Sequence, residues 1–389
     1  MENLKFSRKI RIGLIGASPD TWIGSIHHNS FLMDNLYELV SGSFSRDSKK
    51  SQDIGSKLHL NPKRVYESWE EFLEKEATME KDVKIDVVVI VTPNNLHYAP
   101  SKKALSLGFH VILDKPLCIN LEEAYDLEFT IKKNDLLFCL THCYTGYPMI
   151  KEAKSLIKNG KIGKLRKVIV DYPQGWLTTR LELFNYNAKN RQQPDIAGKS
   201  CTLSDVGTHA ENLLEYVTGL KIKEVCAHVT TAFEDRLLDD DSSVLLKLEG
   251  GVKGVLLASQ VLTGEENSIS VKVWGETGGI EWCQNDCNTL KVKLNEQPVQ
   301  LYRTGTNISY LSKEALSHSR SPGGHPDGYI EAFANLYRNF AYRFYERLDG
   351  KKVDNEIYDY PGIEDGIRGM LFVEKVLENN KSDKKWTCY

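Results

Sequence analysis

From residue 10 to residue 142, short apolar runs rich in β-branched residues alternate with longer amphipathic stretches, and this alternation constrains the fold more than any other feature. The runs are Ile10–Ile15, Tyr37–Phe44, Ile85–Thr92, His110–Leu113 and Leu136–Thr141. Val87–Val91 is apolar without a break, as a strand buried on both faces requires. Between the runs, Tyr98–Leu107 and Leu121–Lys133 show helical spacing. Strand, helix and strand in repetition predict a doubly wound parallel sheet with helices on both faces. Such a sheet binds its ligand beyond the carboxyl ends of the strands.

The pattern changes near residue 143. A helix (Pro148–Lys158), a strand (Lys164–Tyr172) and a helix near Asp205–Thr218 precede longer strand patterns at Lys223–Phe233, Ser242–Leu248, Val252–Gln260 and Ile269–Trp274. The pairs Gly250-Gly251 and Gly278-Gly279 read as hairpin turns between them. The fold class is therefore α/β: an N-terminal Rossmann sheet over 1–142, then an α+β domain over 143–389 with a large, mostly antiparallel sheet. Helices near Gly328–Arg347 and Ile363–Asn379 are expected to pack back on the body. Two domains also suit 389 residues at roughly 150 per domain.

Composition removes several function classes. A net charge of -3, with lysines scattered singly, gives no footprint for nucleic acid or an anionic membrane surface. No apolar run approaches the ~18 residues of a membrane span. The polar opening Met1–Arg11 carries no signal-peptide pattern. Cys118, Cys139 and Cys143 lie in or beside apolar runs, as core thiols do. The Cys283/Cys287 pair lacks the second pair a zinc site needs, so no metal is expected. Together these features predict a cytoplasmic protein with reduced thiols.

The first strand runs into Gly13-Leu14-Ile15-Gly16-Ala17-Ser18-Pro19-Asp20-Thr21-Trp22-Ile23-Gly24. Glycines at a strand-to-helix turn let the backbone approach a pyrophosphate, which the helix N-terminus then binds. Gly16, Ala17, Ser18, Trp22 and Ile23 are the candidate contacts, although Ser18 replaces the middle glycine and the loop is longer than the motif's. The second strand ends in Ser43-Phe44-Ser45-Arg46-Asp47, without the acid that would bind NAD ribose hydroxyls there. Ser45 and Arg46 would suit a 2′-phosphate or the adenine, which leaves NAD and NADP both open.

Two further segments make the reading specific. Thr92-Pro93-Asn94-Asn95-Leu96-His97 ends what reads as the fourth strand, and Asp114-Lys115-Pro116 ends the fifth. Polar residues at strand carboxyl ends mark the catalytic edge of such a sheet, and a Lys before Pro is held extended. In the second domain, Ser204-Asp205-Val206-Gly207-Thr208-His209 puts Asp205 and His209 on one helix face.

These segments resemble the glucose-fructose oxidoreductase / inositol dehydrogenase / rhizopine catabolism (Gfo/Idh/MocA) family over nearly the whole chain. The resemblance rests on the glycine turn, Thr92–His97, Asp114-Lys115-Pro116 and the Asp205–His209 segment. It implies a nicotinamide cofactor touching Thr92, Pro93, Asn94, His97, Asp114, Lys115 and His142. The family usually reads Glu-Lys-Pro, so Asp114 is a conservative departure. Thr141-His142-Cys143-Tyr144 stands where an Asn-Arg pair is common, and His142 and Tyr144 would replace those contacts. The segments Tyr144–Pro148, Asp171–Trp176 and Gly324–Tyr329 resemble a branch acting on glycosides and anhydrosugars. Some of its members oxidise the C3 hydroxyl of a pyranose with NAD, which tips the cofactor choice toward NAD.

The chemistry asks for the same residue types. Removing hydride from a carbinol needs a base for the hydroxyl proton and a positive group to favour alkoxide character. His209 titrates nearest neutrality and Lys115 can stabilise the developing charge; the reverse assignment stays open. Asp205 would bind a neighbouring hydroxyl or orient the pair. Tyr144, Trp176, Arg191 and His325 are candidate sugar contacts, since aromatic rings suit the apolar face of a pyranose. The function expected is hydride transfer between NAD(P) and a sugar, glycoside or polyol hydroxyl carbon. The alternative is a non-catalytic regulator that binds a dinucleotide or sugar on the same fold. The alternating apolar residues of Val255–Val261 and Ile269–Val273 leave a sheet face to be covered, which predicts a homodimer or homotetramer.

Overall fold

Each of the five apolar runs becomes a strand, because β-branched side chains pack well on a pleated surface and none of the runs has helical length. The computed structural model describes residues 6–350 and 352–389. Its first part runs β1 (Ile10–Gly16), α1 (Trp22–Met33), β2 (Tyr37–Ser43), α2 (Ser48–Lys57) and α3 (Trp69–Ala77). It continues β3 (Val87–Val91), α4 (Tyr98–Ser106), β4 (His110–Leu113), α5 (Leu121–Asn134) and β5 (Phe138–Leu140). The five strands pair in parallel in the order β2-β1-β3-β4-β5. The order reverses between β1 and β3, so the ligand crevice of this sheet lies at the carboxyl ends of those two strands. All five residues of β3 are buried, as their continuous apolar pattern requires. β3 and β4 are third and fourth rather than the expected fourth and fifth. The stretch between α2 and α3 contributes an isolated Gly42–Val65 bridge instead of a strand.

The next elements are α6 (Pro148–Lys158), β6 (Leu165–Pro173), α7 (Tyr186–Arg191), α8 (Pro194–Ala197) and α9 (Thr208–Thr218). Then come β7 (Ile222–Thr230), β8 (Asp241–Leu248), β9 (Lys253–Ser259), β10 (Ser270–Gly275), β11 (Gly278–Cys283), β12 (Thr289–Leu294) and β13 (Gln300–Arg303). The chain closes with α10 (Lys313–His318), α11 (Tyr329–Asp349), α12 (Ile363–Asn380) and the two-residue β14 (Thr387–Cys388). The strands from β6 onward form one sheet in the order β13-β12-β11-β10-β6-β9-β8-β7-β14. Every pairing is antiparallel except β6 with β9, which is parallel. Gly250 and Gly251 turn β8 into β9 with φ of +67° and +78°. Gly278 and Gly279 are not the turn expected from sequence: they open β11 and pair with Leu294 and Lys293 of β12. Their glycine identity answers to crowding, since a Cβ on Gly279 would stand 2.8 Å from the Trp274 ring.

The contacts divide the chain into two units. The first comprises the residues through Cys118, Glu122–Cys143 and Tyr329–Gly366, so the parallel sheet takes α11 from far along the chain. Tyr37 donates its hydroxyl to Tyr337 O (2.6 Å) and Tyr345 donates to Leu36 O (3.1 Å), while His27 and Phe31 of α1 meet the Tyr337 ring edge-on. The second unit comprises Ile119–Leu121, Tyr144–Gly328 and Ile367–Tyr389. There the nine-stranded sheet buries alternate residues such as Val168, Val170, Leu256 and Ala258 under α6 and α9. Among the described residues no helix is long and apolar enough to cross a membrane.

Candidate active site

Gly16 closes β1 at φ +73°, where a Cβ would run into the Val91 carbonyl oxygen and stand 3.0 Å from its carbon. Only glycine lets β1 turn this close to β3. Ala17 follows at φ 53° and donates its N–H to Val91 O (3.2 Å). Thr21 caps α1: its Oγ1 donates to Ser18 O (2.8 Å) and accepts from Gly24 N (3.2 Å). Helix geometry leaves the Trp22 and Ile23 N–H groups without intrahelical partners, at the positive end of the helix dipole. A backbone cradle closed at Gly16 and open at that helix start fits a dinucleotide pyrophosphate, which Gly16–Ser18, Trp22 and Ile23 would hold. At the end of β2, Ser45 Oγ accepts from Asp47 N (3.2 Å) and Asp47 caps Lys50 N of α2 (3.1 Å). The one acid of that loop is thus engaged as a cap, and Arg46 is exposed.

Beyond β3 and β4, His97 ties the two strand ends together. Its Nδ1 lies 2.6 Å from Pro116 O and its Nε2 2.9 Å from Thr92 O, and the ring is 1% exposed. With both nitrogens facing backbone carbonyl oxygens, to one of which a neutral ring donates, His97 packs as a brace between the Thr92 and Lys115 loops rather than as a group presented to a ligand. Burial lowers its pKa. Thr92 Oγ1 donates to Leu96 O (2.9 Å), which closes the turn through Pro93 and Asn94. Asp114 accepts from Thr141 Oγ1 (2.8 Å), and His27 Nε2 stands 3.7 Å from the same Oδ1. Burial opposes ionisation of Asp114, but His27 and the charges of Lys115 and His97 outweigh it and hold the carboxyl down at about 2. Asp114 is therefore a fixed anion beside Lys115, which is half-buried. His142 is 2% exposed, and burial with the nearby Lys115 charge pushes it down to about 3, so it is neutral. Burial raises the Cys143 thiol to about 12 and removes it as a nucleophile. Sequence reasoning missed the part played by His27, whose only signal was its place on the helix after the glycine loop.

In the second unit, a π-helical turn (Leu203–Gly207) carries Asp205 into α9, which carries His209. Asp239 fastens the start of that turn by accepting from Cys201 N and Leu203 N, both at 3.0 Å. The parallel pairing of β6 and β9 sets Pro173 beside Ser259, so Gln174 and Gln260 emerge together at one sheet edge. Gln260 Nε2 donates to Asp205 Oδ2 (2.8 Å) and to Gln174 Oε1 (3.0 Å). Gln174 Nε2 bonds Asn267 Oδ1, which also accepts from Tyr172 OH (2.9 Å). Tyr172 and Tyr144 share a hydroxyl–hydroxyl hydrogen bond of 2.5 Å, and the His209 ring meets Tyr144 edge-on at 5.0 Å. Arg191 Nη2 lies 3.3 Å from Asp205 Oδ1, with its guanidinium over the Trp176 ring at 5.0 Å. The structure thus joins Asp205, His209, Tyr144, Trp176 and Arg191 into one wall. Of its further members, Gln260 and Asn267 were not singled out from sequence, and Tyr172 and Gln174 lay in the Asp171–Trp176 segment without an assigned role. His325 is not part of this wall; it is exposed, with Nδ1 3.3 Å from Pro322 O.

Comparison with known proteins gives the family. The family model described as oxidoreductase family, NAD-binding Rossmann fold, matches residues 10–142, and the GFO/IDH/MocA C-terminal domain model matches 150–281. An inositol dehydrogenase homolog from Azotobacter vinelandii, solved with NAD+, is 32% identical. Its alignment covers 99% of this chain and 98% of that one at a TM-score of 0.93. The uncharacterized oxidoreductase YfiI of Bacillus subtilis (strain 168) is 29% identical over 98% of this chain and 97% of its own. Levoglucosan dehydrogenase of Pseudarthrobacter phenanthrenivorans is 27% identical over 51% of this chain and 55% of its own. The chain belongs to the Gfo/Idh/MocA family of NAD-binding oxidoreductases. It is an oxidoreductase built on a Rossmann nucleotide-binding unit.

Proposed function

We propose that the protein is an NAD-dependent dehydrogenase of an uncharged sugar, glycoside or polyol. The observation that carries this reading is the wall at the edge of β6 and β9. Amide, phenol and carboxylate groups there form a continuous hydrogen-bonded network with Gln260 buried behind it, and the Asp205 charge is met by Arg191. Such a surface recognises hydroxyl groups, and the Trp176 ring offers an apolar face for a pyranose or cyclitol. The reading is supported by a structure related to the Azotobacter one, 31% identical at a TM-score of 0.90, which holds NADH and myo-inositol.

Bound nicotinamide would take up the hydride from the carbinol carbon. The protein's residues handle the proton and the charge. His209 accepts the hydroxyl proton, Lys115 stabilises alkoxide character, and Asp205 fixes a neighbouring hydroxyl. Asp114 sets a fixed negative charge beside Lys115. Arg46, exposed at the end of β2, is read as an adenine or ribose contact. The enzyme is also read as a homodimer or homotetramer using the face of the nine-stranded sheet away from α6 and α9. On that face Leu245, 48% exposed, lies in register with Cys226 and Val255, and Val255 with Ile169.

The test is absorbance at 340 nm with NAD or NADP and a panel of inositols, glucosides, anhydrosugars and hexoses. Growth of the band with one class, lost in Lys115→Ala and His209→Ala while NADH still binds, is the expected result. NADH binding without turnover of any member of the panel would refute it.

A further inference from the structure

We infer that Gln260 is the positioning residue for Asp205, fixing one carboxylate oxygen so that the other is presented to a substrate hydroxyl. The inference rests on the dehydrogenase reading of the same wall and assigns a role to a residue outside the Lys115, Asp205 and His209 set.

The amide of Gln260 has no exposed surface and can adopt only one orientation. Both Nε2 hydrogens are used, one on Asp205 Oδ2 (2.8 Å) and one on Gln174 Oε1 (3.0 Å). Its Oε1 accepts from Thr202 Oγ1 (2.9 Å) and faces the Cys201 thiol at 3.6 Å. Turning the amide over would set a carbonyl oxygen against the Asp205 carboxylate and the Gln174 carbonyl, and would leave two buried donors facing Thr202 and Cys201. The main chain is pinned as well: Gln260 N donates to Asp240 O and Leu177 N donates to Gln260 O, both at 2.9 Å. A donor this rigid sets the carboxylate plane of Asp205, because a hydrogen bond to an ionised acceptor is short and directional.

The other oxygen, Oδ1, faces Arg191, which is 44% exposed along its side chain and sits at 3.3 Å. Arg191 is the solvent-facing half of this pair and can swing out of it, whereas the Gln260 amide is buried and pinned. The two oxygens of Asp205 are thus differentiated. Oδ2 is held by the buried Gln260 amide, and Oδ1 faces the movable Arg191 side chain.

The experiment compares wild type with Gln260→Leu, Gln260→Glu and Asp205→Asn, reading crystal structures of each with steady-state kinetics on the best substrate of the panel. Gln260→Leu should turn the Asp205 carboxylate away from its wild-type plane without displacing the α9 backbone. It should lower kcat/KM about 100-fold, with most of the loss in KM, while NADH affinity changes little and the thermal midpoint falls because buried partners lose their bonds. Gln260→Glu sets two carboxyl groups together. A proton shared between them restores the bond, so its kcat/KM should recover several-fold on the acid side, an inflection wild type lacks. An unmoved Asp205 carboxylate in Gln260→Leu overturns the inference whatever the substrate. So does a kcat/KM within threefold of wild type in both Gln260 variants. A displaced carboxylate in a protein whose wild type turns over nothing in the panel leaves the positioning role standing and removes the dehydrogenase reading instead.

Discussion

Gly16→Ala should cost the nucleotide site far more than the protein's fold, and Gly108→Ala supplies the control. Both glycines hold positive φ, +73° and +85°, a region that costs an alanine about 1–2 kcal/mol. Around Gly108 a Cβ would meet nothing within 4 Å, so that substitution carries the conformational cost alone. At Gly16 the Cβ would collide with the Val91 carbonyl, which belongs to the neighbouring strand and cannot rotate away without disturbing the sheet. The turn must therefore lift off β3, giving up the Ala17 N to Val91 O bond, about 1 kcal/mol, on top of the conformational cost. The expected loss of stability is about 2–3 kcal/mol for Gly16→Ala against about 1–2 kcal/mol for Gly108→Ala. The lifted turn also carries the Trp22 and Ile23 N–H groups away from a bound pyrophosphate. At about 1.4 kcal/mol per tenfold, the loss of two charge-assisted bonds raises the NADH dissociation constant about 100-fold. Urea unfolding gives the first quantity and fluorescence titration with NADH the second. Gly16→Ala binding NADH within threefold of wild type, or Gly108→Ala weakening it equally, would refute the steric argument.

Three further outcomes follow from ionisable side chains. His142 is held down at about 3 against an ordinary 6.5, so the unfolded chain takes up a proton that the folded state refuses. Stability is full above about pH 6.5 and falls by about 1.4 kcal/mol per unit below it, or about 2 kcal/mol at pH 5. His142→Gln should lose less between pH 7 and pH 5 than wild type does, by urea midpoints; equal losses would show that His142 is not the group responsible. Arg236 and Asp240 form an ion pair with side chains only 1% and 0% exposed, and Arg236 also holds Leu177 O and Thr179 O. Arg236→Leu should cost about 3–5 kcal/mol in a denaturant titration, because it strands the Asp240 charge. A change under 1 kcal/mol would contradict that. Finally, if Arg46 contacts the adenine-side ribose, Arg46→Glu should weaken NADPH binding at least tenfold more than NADH binding; equal effects in a paired titration would detach Arg46 from the nucleotide.

What could be read from the chain, and what could not, divides along local and non-local structure. β3 was legible because burial on both faces writes itself as Val87–Val91 without a polar break, and Gly16 because a strand must turn sharply at its end. Lys115 and Asp205–His209 were legible as polar segments placed where strands or helices begin and end. The wall around Asp205 was not. Gln174 and Gln260 are 86 residues apart, and nothing near either announces that β6 and β9 lie side by side in parallel within an otherwise antiparallel sheet. Counting strands in order suggests hairpin neighbours, and hairpin neighbours would have sent the two glutamines to opposite edges. A closing helix packing back on the body was expected near Gly328–Arg347, but not that it would join the parallel-sheet unit, where Tyr37 of β2 bonds Tyr337 of α11 from 300 positions away. The same non-locality hid the collision with Trp274 that makes Gly279 a packing residue rather than a turn residue. Once the parallel pair is known, the rule is general: the first residue beyond each of two parallel, in-register strands shares one edge. A glutamine at both places is then a bridging donor and acceptor, and the acid next to it is the group it serves.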